Sequence, residues 1–298
     1  MINVSPDGIT RGPDGNVWFV DHAEGTIGRI TPDGTQTYYT IPTAHSQGAA
    51  ITAGPDGALW FTELNGGTIG RITTDGVIRE YPLPAAYGGP LGIVAGSDGN
   101  LWFSEYGQPA IGRITPSGAL TQFPIPTASG SAVFLALGED QHIWFTEFAG
   151  RIGTISTDGS VTEYPLPSSS AAAQAIVAGP DQALWFAEPG RNAIGRITLD
   201  GKVTEFPTPT PNSLPFGVST GPDGNLWFTE FQSDSVGRVT IAGAVTEFHV
   251  TAIEHAQPNL ITAGADGNLW FTAYQAGAVG RITPTGDIMI FRTPGANR

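Results

Sequence analysis

The chain has 298 residues, no cysteine and a formal net charge of −14, with Lys202 as its single lysine. The lack of cysteine excludes disulfides and thiolate metal sites, and the negative charge argues against nucleic acid and anionic membranes as partners because both would be repelled. No apolar run approaches the ~18 residues of a membrane span, and the opening MINVSPDGIT lacks the basic start and apolar core of a signal peptide.

An internal repeat runs along the whole chain. Each copy carries one tryptophan and, downstream of it, the segment GRIT or a variant of it. The tryptophans recur every 41 to 43 residues, at Trp18, Trp60, Trp102, Trp144, Trp185, Trp227 and Trp270. A period near 40–45 residues with four strands per copy indicates a β-propeller. We therefore predict an all-β fold, a seven-bladed β-propeller with four antiparallel strands per blade.

The third copy shows the four predicted strands in chain order. They are GIVAG (92–96), LWFSE (101–105), AIGRIT (110–115) and ALTQFPIP (119–126), from the innermost to the outermost. Asp-Gly turns supply the positive φ that a tight hairpin requires. Each blade should come from one contiguous repeat of about 42 residues, so that packing between blades, rather than exchange of strands between the termini, closes the ring. One domain over 1–298 would then contain blades at approximately 1–43, 44–85, 86–127, 128–168, 169–210, 211–252 and 253–298.

An acid follows each of the first six tryptophans by three residues, as in Glu63, but the seventh copy has Ala273 there. An arginine such as Arg71 recurs in the third strand, with Thr154 in its place in the fourth copy. We expect each acid to pair with the arginine of its own blade, with Arg151 as a substitute in the fourth copy. The alternative is a crown of carboxylates that holds a cation near the axis.

The ligand face of a propeller is built by the loops that lead into the inner strands and by those that join the second strand to the third. The first set gives one residue per blade, named here the entry ring: Asp7, Ala49, Leu91, Val133, Gln174, Phe216 and Asn259. Such a mixture of aromatic and amide side chains suits a moderately apolar organic ligand, unless the aromatics only cap blade interfaces. The predicted ligand-binding residues are Phe216, Asn259, Gln257, Tyr274, Tyr106, Phe148, Phe231, Gln174 and His22.

Catalytic and metal motifs are scarce. None of the five histidines belongs to a metal-spaced pair, and no nucleophile elbow or phosphate loop occurs in a suitable context. Glu254 and His255, in a loop that is longer than its counterparts, form the one candidate acid–base pair. The alternative is that Glu254 and His255 are solvent-exposed loop residues without a catalytic role. We predict no metal site.

The repeat GPDGNLWFTE…GRIT resembles the virginiamycin B lyase (streptogramin lyase) family over the whole chain. The resemblance implies a seven-bladed propeller that opens the ester ring of type B streptogramins by elimination with magnesium and a histidine base. It also implies a histidine at the sixth inner strand, the sequence Glu-Pro-His at the seventh, and a glutamate after the last tryptophan. This chain has Phe216 at the first position, Gln257 and Asn259 at the second, and Ala273, Tyr274 and Gln275 at the third.

We therefore expect a member of this family that lacks the lyase residues and binds a small organic molecule or a partner at the loop face. One alternative is a magnesium-dependent carbon–oxygen lyase with a relocated acid–base group, for which His255 and Glu254 are the candidates. Another is an interaction scaffold that uses the rim of the propeller. Nothing in the sequence specifies an interface between copies, so we expect a monomer. No cofactor is required unless the chain is a lyase.

Overall fold

The computed structural model describes residues 5–127 and 130–293. Within these ranges 28 strands form seven four-stranded antiparallel sheets, and each sheet consists of four consecutive strands. The described chain is otherwise turns and loops, with one 3₁₀ turn at Pro189–Arg191. The predicted seven-bladed all-β propeller is confirmed. None of the described residues forms a helix that is long and apolar enough to cross a membrane.

The strands run outward in chain order in every blade. Blades 1 to 4 comprise β1 (Pro6–Arg11), β2 (Val17–Asp21), β3 (Thr26–Ile30), β4 (Gln36–Thr40); β5 (Gly48–Ala53), β6 (Leu59–Glu63), β7 (Thr68–Ile72), β8 (Ile78–Pro82); β9 (Gly89–Ala95), β10 (Leu101–Tyr106), β11 (Ala110–Ile114), β12 (Leu120–Pro124); β13 (Ala132–Leu137), β14 (Ile143–Glu147), β15 (Arg151–Ile155) and β16 (Val161–Pro165). Blades 5 to 7 comprise β17 (Ile176–Ala178), β18 (Leu184–Glu188), β19 (Ala193–Ile197), β20 (Val203–Pro207); β21 (Pro215–Thr220), β22 (Leu226–Glu230), β23 (Ser235–Val239), β24 (Val245–His249); β25 (Pro258–Ala263), β26 (Leu269–Ala273), β27 (Ala278–Ile282) and β28 (Ile288–Arg292).

Each tryptophan packs its blade against the next one. Trp18 of blade 1 shares a buried cluster with Leu59 and Phe61 of blade 2, and the same arrangement recurs at each seam. At the last seam, Trp270 of blade 7 packs with Phe19 of blade 1. The described N-terminal strand, β1, pairs only within blade 1, while residues 1–4 lie outside the described part of the chain. Among the described residues, packing between blades and not an exchange of strands therefore closes the ring, as predicted.

The predicted pairing of the acid with the third-strand arginine is wrong. The substitute predicted for the fourth copy is in place, because Arg151 stands opposite Glu147 in the strand register and its charge opposes the rise in the pKa of Glu147 that burial causes. Antiparallel pairing places Arg71 opposite Trp60, at the far end of the strand from Glu63. The guanidinium instead binds Asp56 of the Asp-Gly turn, with Nε 2.7 Å from Oδ2, and the same carboxylate accepts a hydrogen bond from Trp60 Nε1 at 3.0 Å. The turn aspartate thus fixes the hairpin, the tryptophan and the arginine together.

Candidate functional site

A cavity of about 540 Å³ lies on the propeller axis, at the end where the inner strands begin. We call it the central cavity, and every residue of the entry ring lines it, so all seven blades contribute. The remaining lining residues are Phe134, Phe148, Pro189, Leu214, Phe231 and Tyr274. The lining is therefore mostly apolar, with a few polar groups.

Shifts in strand register aim the entry ring into the central cavity. In six blades the pairing between the inner strand and the second strand shifts in register near the start of the inner strand. Such a shift is typical of a β-bulge, which redirects a side chain. The six corresponding ring residues lie inside these shifted segments, whereas the repeat pattern predicts them in the loops that lead into the strands. Gln174 is the exception, because β17 begins only at Ile176.

Hydroxyl groups of the second strands hold the shifted segments. In blade 6, Thr229 Oγ1 accepts a hydrogen bond from the Gly217 N–H at 2.8 Å and donates one to the carbonyl of Asn259 in blade 7. Equivalent links between blades are made by Thr62, Ser104 and Thr272. Each link fixes a ring residue to the neighbouring blade, so the shape of the central cavity depends on contacts between blades.

One side of the cavity is aromatic. Phe134 and Phe216 meet edge to face with ring centroids 6.1 Å apart. The run continues from Phe216 to Phe231 and from Phe231 to Tyr274, with 6.4 Å between centroids at each step. These rings span blades 4 to 7 and form a continuous apolar wall, which we call the aromatic run.

The other side of the cavity is polar. Asn259 Nδ2 donates a hydrogen bond to Asp7 Oδ1 at 2.6 Å, and His22 Nδ1 lies 3.9 Å from Asp7 Oδ2. Burial raises the pKa of Asp7 to about 7, although the Asn259 hydrogen bond acts to lower it. Burial also raises the pKa of Tyr274, and the charges of Asp7 and Asp21 add to this effect. Asp7 therefore changes charge near neutral pH.

Six of the nine predicted ligand-binding residues line the central cavity: Phe216, Asn259, Tyr274, Phe148, Phe231 and Gln174. The other three lie outside its lining. His22 stands beside Asp7, and Tyr106 is 50 % exposed with its ring centroid 6.1 Å from that of Phe148. Gln257 donates its backbone N–H to Asp234 Oδ1 at 2.8 Å. Ligand binding by these residues remains a prediction.

Glu254 and His255 are exposed and do not line the central cavity. They line a separate cavity together with Asp234 and His249. The structure therefore does not bring this candidate acid–base pair together with the predicted ligand-binding residues.

Asp7 is a functional candidate that the repeat pattern does not single out. The pattern predicts it only as the blade 1 member of the entry ring, although it is the one acid in that ring. Its importance depends on ring closure, which places it against Asn259, 252 positions away in the chain. An acid among apolar and amide neighbours was the available signal, because burial perturbs the pKa of such a group.

The acids that follow the tryptophans do not form the crown of carboxylates considered as an alternative. They lie in the blades, beside the outer strand, and are fully buried. Burial and, next, the charge of Glu80 raise the pKa of Glu63 to about 8. In the same way, burial and an outer-strand glutamate raise the pKa of three further acids to about 7 or 8: Glu147, Glu188 and Glu230. We call these four sites the carboxyl pairs.

The central cavity does not fit the magnesium ion that the family resemblance implies. Mg²⁺ prefers several oxygen ligands, including one or two carboxylates, in nearly octahedral geometry. Here one carboxylate lines the cavity, and an amide N–H group of Asn259 already points at it. Within the described part of the chain, no three acidic or imidazole side chains are grouped to hold a metal. We assign no step to a metal.

The comparisons with known proteins agree with the fold. The model of the Virginiamycin B lyase family matches residues 1–176 and 135–298. Selenomethionine-substituted virginiamycin B lyase from Staphylococcus aureus is 38% identical over 91% of this chain and 92% of that chain, with a TM-score of 0.86. A catalytically inactive histidine-to-alanine variant from the same organism, with quinupristin, is 37% identical over 94% and 95%, with a TM-score of 0.88.

A structure described as a streptogramin B lyase is 34% identical over 97% of this chain and 95% of that chain, with a TM-score of 0.89. No curated protein matches the chain. The family model nevertheless covers the chain from end to end, and the solved relatives share its seven-bladed architecture over more than nine-tenths of its length. This chain is a member of the virginiamycin B lyase family.

Proposed function

We propose that the protein binds a small, largely apolar organic molecule in the central cavity and does not catalyse the elimination reaction of its lyase relatives. The observation that carries the proposal is the identity of two cavity residues, Phe216 and Asn259. They occupy the positions at which the family resemblance implies histidines. Neither an aromatic ring nor a carboxamide accepts a proton near neutral pH, so neither acts as a general base.

The shape and chemistry of the cavity support binding. Its volume of about 540 Å³ lies within the roughly 300–1,000 Å³ of pockets that hold drug-sized molecules. The aromatic run offers apolar contact surface, while Asp7 and Asn259 offer a fixed polar group that would orient a ligand. The shifted inner strands and their hydroxyl links hold this lining in place before a ligand arrives, which reduces the entropy lost on binding.

Binding is tested with Nile red, a neutral dye whose fluorescence rises in apolar surroundings, and with quinupristin as a competitor. Ala49 is 6 % exposed and lines the cavity, so Ala49→Trp should fill part of it and abolish the Nile red signal. Ala85→Trp makes the same change at an exposed loop position and should leave the signal unchanged. Equal signals from both variants would refute binding in the central cavity. Thermal unfolding of each variant verifies that it is folded.

Loss of lyase activity is tested by mass spectrometry of virginiamycin B or quinupristin after incubation with the protein, with and without Mg²⁺. The Staphylococcus aureus enzyme serves as the active control. We expect the substrate to remain cyclic while the control converts it. A linear product of unchanged mass would contradict this half of the proposal, because elimination opens the ring without adding water.

The position of Asp7, the one carboxylate in the lining of the central cavity, favours a second candidate function together with its raised pKa: a lyase whose base has moved to blade 1. In that reaction the Asp7 carboxylate would take the proton next to the ester-bearing carbon, a C=C bond would form, and the C–O bond would break to release a carboxylate. A pKa of about 7 suits such a base. A linear product from the wild-type protein that disappears in Asp7→Asn would establish this function in place of the first.

The rim scaffold receives less support. Large exposed apolar side chains among the described rim residues stand on different blades, as Val77 on blade 2, Ile241 on blade 6 and Met289 on blade 7 do. Protein-binding surfaces usually gather such side chains into one patch. The central cavity is therefore the better-supported site.

A further inference from the structure

The described lining of the central cavity contains an acidic side chain but no basic one. Among the residues that form this lining, Asp7 is the one carboxylate. The side-chain amide of Asn259 donates a hydrogen bond to Asp7 Oδ1, whereas Oδ2 accepts no hydrogen bond from the described residues. About a fifth of the Asp7 side chain, 21 %, is exposed. A partly buried carboxylate with one oxygen that accepts no hydrogen bond is costly to ionise unless a donor or a cation reaches that oxygen.

The aromatic run ends at this carboxylate. Tyr274 is the last ring of the run, lies 6.4 Å between centroids from Phe231, and senses the charge of Asp7. The faces of aromatic rings carry negative partial charge and attract cations, quaternary ammonium groups in particular. Rings and a carboxylate that meet in one cavity therefore attract the same kind of group.

We propose that the central cavity selects an organic cation, a quaternary or protonated amine on an apolar body, with the cationic group against Asp7 and the apolar body along the aromatic run. This inference rests on the proposed function and names the class of its ligand. An anion would meet the Asp7 carboxylate and a protein of net charge −14, so it is disfavoured. A neutral ligand would offer no charge to Asp7 Oδ2.

Binding of a cation should be linked to ionisation of Asp7. The cation stabilises the Asp7 carboxylate, whose pKa is about 7 in the protein without ligand. The affinity for the cation should therefore be highest above that pH and should fall by up to about tenfold for each pH unit below it. The other titratable groups near Asp7 are His22, whose Nδ1 lies 3.9 Å from Oδ2, and Tyr274, on which the charges of Asp7 and Asp21 both act. Of these, His22 is the one basic side chain, so a variant that lacks it is the control.

The test compares benzyltrimethylammonium with neopentylbenzene, its neutral isostere in which carbon replaces nitrogen. Displacement of Nile red from the folded protein is measured at pH 8 and pH 5.5. At pH 8 we expect the cation to bind at least about tenfold more tightly than the isostere. At pH 5.5 this preference should shrink by about tenfold or more, while the affinity of the isostere stays constant. Asp7→Asn should abolish the preference for the cation at both pH values. In His22→Gln that preference should still depend on pH.

Each outcome decides between the inference and the proposed function. Equal affinities for the two probes, or a preference that survives in Asp7→Asn, would overturn the inference while Nile red binding leaves the proposed function intact. Displacement by neither probe would also overturn the inference. Failure of Nile red itself to bind in the cavity would overturn the proposed function. Melting temperatures of Asp7→Asn and His22→Gln distinguish lost recognition from lost folding.

Discussion

Replacement of Glu63 by glutamine should weaken the dependence of stability on pH. Burial, followed by the charge of Glu80, raises the pKa of Glu63 from 4.5 to about 8 in the folded protein. The native state therefore holds a proton that the unfolded chain has already lost. Between these two pKa values stability falls as pH rises, because the native state binds more protons than the unfolded state.

The size of the effect follows from the shift. One pKa unit corresponds to ~1.4 kcal/mol, so the full difference from 4.5 to about 8 would cost at most about 5 kcal/mol of unfolding free energy by pH 9. Water that reaches Glu63 and Glu80 on ionisation would lower this cost, and we expect a measured difference of roughly 2 kcal/mol. Glu63→Gln removes the titration and keeps the shape of the side chain. The variant should match the wild type at pH 5 and exceed its stability by roughly 2 kcal/mol at pH 8.5.

Urea unfolding followed by tryptophan fluorescence at pH 5, 7 and 8.5 measures this difference. Glu139→Gln, the same change at an exposed loop position, is the control and should follow the wild-type profile. A wild-type stability that stays constant from pH 5 to 8.5 would refute the reasoning, as would parallel profiles for Glu63→Gln and the wild type. The stability maximum should lie on the acidic side of neutrality. It should not extend far below pH 4, because hydrogen bonds to the turn aspartates outweigh their burial and lower their pKa.

Two further predictions concern the scaffold around the cavity. Asp98→Ala should cost about 1–3 kcal/mol of unfolding free energy, because it leaves the Trp102 indole N–H without its acceptor. Thermal and urea unfolding measure this cost, and an unchanged stability would contradict the role of Asp98 in holding the tryptophan. Thr229→Val should cost a similar amount and weaken Nile red binding, because its hydroxyl links the blade 6 inner strand to Asn259. Thr246→Val, at an exposed outer-strand position, is the control, and equal behaviour of the two variants would contradict the link.

Most of the fold could be predicted because its determinants are local and repeated. The glycine of the GRIT segment is an example. A Cβ atom at Gly70 would clash with the ring of Phe61, which lies across the third strand, so the motif requires glycine in every blade. Asp-Gly turns and buried tryptophans likewise act within about 40 residues. Seven such copies leave little freedom in the architecture.

Strand register, which spacing in the sequence does not show, decides the partner of the arginine. Antiparallel pairing sets Trp60 opposite Arg71, and Glu63 opposite Thr68. The side chains of Glu63 and Arg71 therefore lie at opposite ends of the hairpin. Asp56, which had been assigned only to the turn, is the acid at the correct end. Hairpin geometry alone would have excluded the predicted pair.

The chemistry of the cavity was harder to predict because it is non-local. The seven positions of the entry ring were identified from the repeat alignment, and all of them line the cavity. The contact between Asp7 and Asn259 exists only when blade 7 meets blade 1. No spacing within one repeat indicates that contact or the burial that perturbs the carboxyl group.

The seventh blade lacks the acid of the other copies, and its outer strand differs from theirs as well. In blades 2 to 6 the residue opposite the third-strand glycine is polar: Glu80, Gln122, Glu163, Glu205 and Glu247. In blade 7, Ala273 replaces the acid and Ile290 replaces its outer-strand neighbour. Both partners have changed from polar to apolar, which suggests that the two positions are energetically coupled.

A double-mutant cycle in blade 7 tests this coupling. Ala273→Glu alone should cost about 1–3 kcal/mol, because the buried carboxyl group would meet the apolar Ile290. Adding Ile290→Gln would copy blade 3, where Gln122 Nε2 donates to Glu105 Oε2 at 2.7 Å. The double variant should therefore be more stable than the sum of the single changes by about 1 kcal/mol, measured by urea unfolding at pH 6. Additive costs would mean that the acid and its outer-strand neighbour are independent, and that the change in blade 7 needs another explanation.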